Sequence, residues 1–280
     1  MDTVDHLIDL ALQEDIGPGD ITTDALVEPH QKAEAGITAK EPLVLAGAHI
    51  AKKVFRRLDP DIVFRSNKKD GDWVDKGHCF LRVEGRLHAL LTGERTALNF
   101  LQRLSGIATH VRSFSDLLRG KAVRLVDTRK TTPGCRVLEK YAVRVGGAYN
   151  HRMGLFDGVL IKDNHIAACG GIRKAVEVIR RKTSHLVKVE IEVSDLAELE
   201  EALSAGADVI MLDNMNFEQI RKAMEITAGK AMVEVSGGIS KSDLLPLADL
   251  GVDIISSGSL THSARSVDMS MKIGKAECRM

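Results

Sequence analysis

The second half of the chain alternates between short apolar runs and amphipathic segments, and this alternation restricts the fold more than any other feature. Strands that alternate with helices form βαβ units around a parallel sheet. Six such units fit an open doubly wound sheet or an incomplete parallel α/β barrel. The strand-like runs are 122–126, 158–161, 186–193, 208–212, 231–235 and 252–255, and the helix-like segments are 135–146, 171–181, 195–204, 216–227 and 241–250.

Residues 1–107 show a mixed pattern, which predicts a separate N-terminal α+β sandwich domain. A long helix that begins with Thr92 as its N-cap is expected to lead from it into a barrel domain of residues 108–264. A period-2 strand pattern within 265–280 is expected to return to the N-terminal domain. The other predicted elements of the first domain are helices at 3–15 and 48–58, a stop at 15–23, and strands near 34–45, 61–66 and 78–84.

The overall composition excludes several classes of protein. The chain has 39 Lys+Arg and 39 Asp+Glu, so its formal net charge is zero, which argues against a general nucleic-acid binder. No apolar stretch approaches the ~20 residues of a membrane helix. The acidic start does not resemble a signal peptide, so a cytoplasmic location is expected. Four scattered cysteines without a C-x-x-C pair predict reduced thiols rather than a zinc site.

Polar residues follow every predicted strand of the second half. Because ligands of parallel α/β folds bind at the carboxyl ends of the strands, these residues are expected to line one pocket. The six strand ends are Asp127-Thr128-Arg129-Lys130, Lys162-Asp163-Asn164, Glu190-Ile191-Glu192, Asp213-Asn214, Ser236-Gly237-Gly238 and Ser257-Gly258-Ser259.

The chemistry of these ends suggests a phosphate site beside a carboxylate pair. The two Gly/Ser loops follow consecutive late strands, where backbone N–H groups can approach an anion. Glu192 and Asp213 end neighbouring strands and suit Mg²⁺ held through its waters, or a developing cation. Glu190 lies on the same face as Glu192 but deeper, and the sequence leaves its role open.

Basic residues are concentrated between Lys121 and His165, a stretch that contains nine Lys and Arg residues but only four Asp and Glu residues. Arg129, Lys130 and Lys162 lie at strand ends, and His151-Arg152 follows a Gly-Gly turn. Arginine suits a bidentate grip on carboxylate or phosphate. The pocket is therefore expected to bind two anionic groups, as a phosphorylated sugar reacting with an acidic partner would require.

Several longer motifs are spread in order across nearly the whole chain. They include EDIGPGDITTDALV (14–27), GERTALNFLQRLSGIAT (93–109), DTRKTTPG (127–134), NHR (150–152), IKDNH (161–165), VEIEV (189–193) and GVDIISSGSLTHS (251–263). These motifs resemble those of the quinolinate phosphoribosyltransferase family. Members of the family join quinolinate to phosphoribosyl pyrophosphate with Mg²⁺, and yield nicotinate mononucleotide, pyrophosphate and CO₂. The resemblance implies that activity, a step in NAD biosynthesis, and an incomplete barrel of about six βα units.

The resemblance also implies roles for individual residues. The quinolinate carboxylates would contact Arg95, Arg129, His151, Arg152 and Lys162, with Thr128 supporting the turn. Lys130 and Lys162 would also touch the pyrophosphate side. Glu192 and Asp213 would serve ribose and Mg²⁺, and Ser236 to Gly238 and Ser257 to Ser259 the 5′-phosphate. Lys130, Lys162, Glu192 and Asp213 form the expected catalytic set. The family forms homodimers or larger assemblies, so Arg95 is expected to act on the neighbouring subunit.

Three alternatives remain at this stage. The first is the molybdenum-associated paralogue of the same fold. The second is a Schiff-base aldolase that uses Lys162, which would need a desolvated lysine. The third is a non-catalytic binder of phosphoribosyl ligands, which would explain the Gly/Ser loops but not Glu192 and Asp213.

Overall fold

The computed structural model describes residues Thr3 to Gly274. Its N-terminal part is mixed in character, as its sequence predicts. The elements up to the long helix are α1 (Thr3–Ile16), α2 (Ile21–Leu26), β1 (Lys32–Ala39), β2 (Leu43–Val44), α3 (Ala48–Leu58), β3 (Val63–Ser66), β4 (Trp73–Val74), β5 (Cys79–Arg86) and α4 (Leu87–Ser115).

The remaining elements follow a short 3₁₀ turn at Asp116–Leu118 and alternate regularly. Strand and helix follow one another as the apolar pattern predicts. They are β6 (Arg124–Val126), α5 (Arg136–Gly146), β7 (Val159–Ile161), α6 (Asp163–Cys169), α7 (Ile172–Lys182), β8 (Val189–Val193), α8 (Leu196–Ser204), β9 (Val209–Asp213), α9 (Phe217–Thr227), β10 (Met232–Ser236), α10 (Lys241–Asp249), β11 (Ile254–Ser256), α11 (Ser259–His262) and β12 (Met269–Ile273).

The chain forms two compact units. One, here called the N-terminal unit, comprises the residues up to Arg112, Thr132–Gly147 and the residues from Ser263 onward. The other, here called the barrel unit, comprises Ser113–Thr131 and Ala148–His262.

The N-terminal unit is built on a four-stranded antiparallel sheet with the order β12-β1-β5-β3. Strand β12 pairs along β1, with Ala35 opposite Ile273 and Ala39 opposite Met269. The described part of the returning segment therefore completes the sheet from the far end of the sequence. Apolar side chains such as Ile37 and Phe80 are almost fully buried in the core of this unit.

The barrel unit contains a six-stranded parallel sheet with the order β6-β11-β10-β9-β8-β7. From β7 to β11 each strand pairs with the next in sequence, and β11 pairs with β6. Among the described residues, β6 and β7 are the two edge strands of this sheet and do not pair with each other, so the barrel is not closed. The sheet is therefore an incomplete α/β barrel, which confirms the predicted fold class.

Side-chain alternation along the central strands separates an apolar face from a polar face. In β8, Val189, Ile191 and Val193 are buried, and α7 and α8 contact this strand. Glu190 and Glu192 point to the opposite face because successive side chains of a strand alternate. The same two-residue period places Met211 and Asp213 of β9, and Glu234 and Ser236 of β10, on that polar face.

Two local predictions are corrected by the structure. Thr92 is not the N-cap of the long helix, because β5 runs directly into α4 at Leu87 without a breaker. Thr92 is buried within α4 and its hydroxyl donates to Asp20 Oδ2 at 3.1 Å. The stop predicted at 15–23 contains the start of α2, because the Asp20 carboxylate accepts from the Thr23 backbone N–H at 3.0 Å.

The cysteines follow the predicted reduced state only in part. Cys135 and Cys169 are free thiols, but Cys79 is disulfide-bonded, so the prediction is wrong there. Cys278 and the end of the predicted returning segment, residues 275–280, lie outside the described residues. Across Thr3–Gly274, no helix has both the length and the apolar character needed to traverse a lipid bilayer.

Candidate active site

A cavity of about 730 Å³ opens at the carboxyl ends of the barrel strands. Its walls come from the ends of β6 to β11, from several of the loops that follow them, and from His151 and Arg152. Of the strand-end residues that were expected to line one pocket, Asp127, Asp163, Asn164, Glu190 and Ile191 do not line it. All of the residues that were assigned a catalytic, substrate-binding or metal role, except Arg95, do line it. They are Thr128, Arg129, Lys130, His151, Arg152, Lys162, Glu192, Asp213, Ser236, Gly237, Gly238, Ser257, Gly258 and Ser259. Arg95 is exposed on α4, in the N-terminal unit.

Asp127 organises the segment that carries His151 and Arg152. Its side chain is fully buried at the end of β6. One carboxylate oxygen accepts from the His151 backbone N–H at 2.9 Å, and the other from Asn150 Nδ2 at 2.7 Å. The segment also runs beside β6 through backbone hydrogen bonds of Tyr149. A buried carboxylate with two donors therefore fixes the polar turn against the sheet.

The basic side of the cavity holds arginines that repel one another. Arg152 Nη1 donates to the Gly158 carbonyl at 3.0 Å, which aims its guanidinium along the wall. Burial and then the neighbouring charge of Arg129 lower the pKa of Arg152, although Glu190 and Asp157 act in the opposite direction. Because arginine stays charged at any physiological pH, the two guanidinium groups together favour an anionic ligand.

Lys162 and Glu192 form a short ion pair across the ends of β7 and β8. Asp213 ends the next strand, and one of its carboxylate oxygens accepts from Asn214 Nδ2 at 2.7 Å. The predicted carboxylate pair is thus present in the cavity, but Glu192 is already paired with the ammonium group of Lys162. In the order of the sheet, the two acids therefore lie between Lys162 and the Gly/Ser loops.

The two Gly/Ser loops follow β10 and β11, which are neighbours in the sheet. Gly237 has φ of 100° and Gly238 has φ of 58°, and both values disfavour L side chains. A Cβ at Gly237 would lie 2.8 Å from the Asn214 backbone nitrogen. At Gly258, a Cβ would lie 2.8 Å from Lys130 Cδ. Glycine therefore lets each loop approach its neighbours as side-chain-bearing residues could not.

His151 reaches the acids on the polar face of the sheet. Its Nε2 lies 3.2 Å from Glu190 Oε2 and 3.6 Å from Glu234 Oε2. Both acids are buried, with 8% of Glu190 and 1% of Glu234 exposed. Burial, and then the charge of Glu190, raises the pKa of Glu234 to about 7.

Comparison with known families accounts for both units. The family model "Quinolinate phosphoribosyl transferase, N-terminal domain" matches residues 20–105, and the model for the C-terminal domain matches residues 107–272. The chain belongs to the quinolinate phosphoribosyltransferase family. The family resemblance inferred from the DTRKT, NHR and IKDNH runs is confirmed.

Individual members of the quinolinate phosphoribosyltransferase family are similar over almost their whole length. A probable nicotinate-nucleotide pyrophosphorylase (carboxylating) of Bacillus subtilis (strain 168) is 47% identical over 260 residues, which cover 93% of this chain and 90% of that protein. A chloroplastic nicotinate-nucleotide pyrophosphorylase (carboxylating) of Arabidopsis thaliana is 40% identical, with coverage of 95% and 82%. The crystal structure of NadC from Streptococcus pyogenes is 45% identical, with a TM-score of 0.93 and coverage of 97% and 96%.

Several residues that line the cavity of this quinolinate phosphoribosyltransferase family member were not predicted from the sequence. Glu234 is the most consequential of them, and its signal was a single acid inside an apolar strand run. Its spacing of two from Ser236 places both on one face, which could have identified it. The complete unpredicted set is Leu160, Met211, Glu234, Ile239, Ser256 and His262.

Proposed function

We propose that this chain transfers the phosphoribosyl group of phosphoribosyl pyrophosphate to quinolinate and releases nicotinate mononucleotide, pyrophosphate and CO₂. The observation that carries the proposal is the set of groups that meet in one cavity. In the order of the sheet, Lys162 follows β7, Glu192 and Asp213 lie at the ends of β8 and β9, the Gly/Ser loops follow β10 and β11, and Arg129 follows β6. A dianionic acid, a phosphorylated sugar and a cationic centre match that set of groups.

The quinolinate side is proposed to consist of the basic wall. Arg129, Arg152 and Lys162 supply positive charge for two carboxylates, and Thr128 and His151 lie beside them. The Thr128 hydroxyl accepts from the Lys130 backbone N–H at 3.1 Å and so supports the turn. The Arg152 guanidinium is half-buried and donates to the Gly158 carbonyl, so it loses little entropy when it binds a planar diacid.

The phosphoribosyl side is proposed to use the loops after β10 and β11. Backbone N–H groups and the hydroxyls of Ser257 and Ser259, whose Oγ atoms are 2.8 Å apart, suit the 5′-phosphate. Lys130 approaches the same region because its carbonyl accepts from Thr261 Oγ1 at 2.8 Å. Lys130 and Lys162 would then attract the pyrophosphate.

The proposed chemistry begins when the bond from C1 of ribose to pyrophosphate breaks and its electron pair leaves with the pyrophosphate. The cationic ribose centre faces Glu192 and Asp213, whose negative charges stabilise it. The ring nitrogen of quinolinate then bonds to C1 and becomes positively charged. The C2–carboxylate bond breaks as CO₂ leaves, its electron pair stays on C2 beside the cationic nitrogen, and C2 takes up a proton.

Magnesium is proposed as the cofactor, and the donor chemistry of the cavity fits it. Asp213 and Glu192 offer carboxylate oxygens, which Mg²⁺ accepts as ligands or as partners of its bound waters. Because Glu192 is paired with Lys162, Asp213 is the better direct donor and Glu192 the better partner for a bound water. When bound, Mg²⁺ would neutralise charge on the pyrophosphate.

A homodimer or larger homo-oligomer is proposed, with Arg95 acting in trans on the neighbouring subunit. Arg95 is exposed on the N-terminal unit, whereas the cavity belongs to the barrel unit. To test this, inactive Arg95→Ala subunits are mixed and exchanged with inactive Glu192→Ala subunits. If Arg95 acts in trans within dimers, about a quarter of the sites regain all groups. No recovery after verified exchange would contradict this arrangement. The cytoplasmic location remains a prediction.

The aldolase alternative is disfavoured by the environment of Lys162. A Schiff-base lysine needs a desolvated amine, but Lys162 is paired with Glu192 and 42% of its side chain is exposed. The molybdenum-associated paralogue and the non-catalytic binder are separated from the proposed enzyme by assay. Purified protein is incubated with phosphoribosyl pyrophosphate, Mg²⁺ and either quinolinate or nicotinate. Formation of the mononucleotide from quinolinate supports the proposal, and turnover of nicotinate alone, or of neither acid, refutes it.

A further inference from the structure

Two buried acids converge on one histidine at the floor of the cavity. Glu190 lies on β8 and Glu234 on β10, so β9 separates them in the sheet. Both carboxylates nevertheless approach His151 Nε2, at 3.2 and 3.6 Å. Neither acid has a role in the proposed contacts to quinolinate, ribose or phosphate, yet burying two carboxylates together is costly.

The hydrogen bonds of His151 determine which ring nitrogen carries the proton. The Arg152 backbone N–H donates to His151 Nδ1 at 2.7 Å. Nδ1 must therefore be the unprotonated nitrogen, and Nε2 carries the proton. The Nε2–H then donates to Glu190 Oε2, the nearer acid oxygen. The imidazole is held at both nitrogens, and Asp127 holds the backbone of the same residue.

One proton on Nε2 does not satisfy two carboxylates. Glu190 Oε1 and Glu234 Oε1 are both buried with no hydrogen-bond partner among the described residues. The buried Ser256 hydroxyl beside Glu234 can supply one donor to that acid. A proton held by Glu234 supplies the donor that Glu190 still lacks, because a carboxylic acid can donate to the neighbouring carboxylate. Burial and the charge of Glu190 raise the pKa of Glu234 to about 7, which agrees with this arrangement.

We propose that Glu190 and Glu234 are positioning residues that act through His151 by holding its ring in one orientation with Nε2 protonated. The proposal rests on the proposed placement of His151 on the quinolinate side of the cavity. A fixed imidazole keeps the adjoining Arg152 backbone N–H engaged and so keeps the basic wall in place. Loss of the acid pair would then impair binding of quinolinate and leave binding of phosphoribosyl pyrophosphate unchanged.

The test compares Glu234→Gln, Glu234→Ala and the matched exposed variant Glu225→Gln. A glutamine amide N–H can replace the acid proton, so Glu234→Gln keeps both KM values within about threefold of wild type. Glu234→Ala leaves Glu190 without its second partner, which costs enough to raise the KM for quinolinate at least about tenfold. The KM for phosphoribosyl pyrophosphate and all constants of Glu225→Gln stay within about twofold, since no phosphate contact changes.

An independent readout comes from ¹⁵N NMR of histidine-labelled protein, with the His151 signals assigned by their loss in His151→Gln. Wild type and Glu234→Gln are expected to show a neutral ring with the proton on Nε2. In Glu234→Ala, Glu190 can turn away from His151 Nε2 because its second partner is gone, so a mixture of tautomers is expected. If Glu234→Ala does not fold, the wild-type spectrum still tests the proposal. A wild-type ring that carries its proton only on Nδ1 would overturn it.

Three further outcomes are decisive. An unchanged His151 spectrum in folded Glu234→Ala, or an equal rise in both KM values, overturns the positioning role. Elemental analysis gives a further test. If wild type binds one equivalent of a divalent metal and Glu234→Gln binds none, the positioning role is also overturned, because a metal ion would then hold the two carboxylates together. A changed spectrum with an unchanged KM for quinolinate upholds the orientation of His151 and refutes its placement in the proposed quinolinate site.

Discussion

Two adjacent glycines in the loop after β10 offer a matched test of the phosphate site. Gly237 and Gly238 both have positive φ values, 100° and 58°. Their surroundings differ, because a Cβ at Gly238 meets nothing within 4 Å, whereas a Cβ at Gly237 would lie 2.8 Å from the Asn214 backbone nitrogen. Alanine therefore adds conformational strain at both positions but adds a collision with backbone only at Gly237.

The expected costs follow from these geometries. At Gly238 alanine enters the left-handed region at a cost of about 1–2 kcal/mol. At Gly237 the strain is about 1–3 kcal/mol, and the collision must also move the loop or Asn214. A displaced loop loses at least one hydrogen bond to a charged phosphate, which is worth about 1.5–3 kcal/mol. Gly237→Ala is therefore expected to raise the KM for phosphoribosyl pyrophosphate about ten- to a hundredfold.

Steady-state kinetics with each substrate varied separately measure this effect, and thermal melts show that both variants are folded. Gly238→Ala is expected to stay within about threefold of wild type, because its loop need not move. If Gly237→Ala binds phosphoribosyl pyrophosphate as wild type does, or if both variants weaken it equally, the loop does not hold the phosphate in the way described here.

Three further predictions concern other parts of the molecule. The Asp70 carboxylate accepts hydrogen bonds from Tyr141 Oη at 2.5 Å and from two backbone N–H groups at the start of α3. Asp70→Asn removes its charge, so the free energy of unfolding measured in urea should fall by about 2–4 kcal/mol. Between pH 4.5 and about 7, Glu234 holds a proton in the folded chain that it loses in the unfolded chain, because its pKa is raised. Its contribution to the free energy of unfolding should therefore fall as pH rises through this window, and the pH profile of Glu234→Gln should lack that fall; an identical pH profile would contradict the raised pKa. Lys162→Ala removes the ammonium group that pairs with Glu192, so kcat should drop at least about a hundredfold in the mononucleotide assay. An unchanged kcat would exclude Lys162 from the reaction.

The barrel and its polar strand ends were accessible from the sequence because they depend on short-range patterns. Apolar runs separated by helical segments specify the parallel sheet, and each polar end follows its run directly. The last residues of β9 and β10, Asp213 and Ser236, lie opposite each other in the register. The pocket follows from this alignment, since all carboxyl ends lie on one edge of the sheet.

Other features depend on contacts between distant residues, which a linear pattern does not contain. Glu234 pairs with Glu190 across an intervening strand, so neither residue alone signals the cluster around His151. The start of α4 at Leu87 lacks a breaker, and Thr92 looked like a cap although it packs inside the helix. The pairing of Lys162 with Glu192 also joins residues thirty positions apart. These features require the strand order before they can be recognised.

The most direct measurement of the central claim follows the fate of the 2-carboxylate. Quinolinate labelled at that carboxyl group is incubated with the protein, phosphoribosyl pyrophosphate and Mg²⁺, and released CO₂ and nicotinate mononucleotide are counted together. One CO₂ is expected for each mononucleotide, and no CO₂ is expected without phosphoribosyl pyrophosphate, because the ring nitrogen must first become cationic. Mononucleotide formation without CO₂, or CO₂ release that does not need phosphoribosyl pyrophosphate, would contradict the proposed reaction.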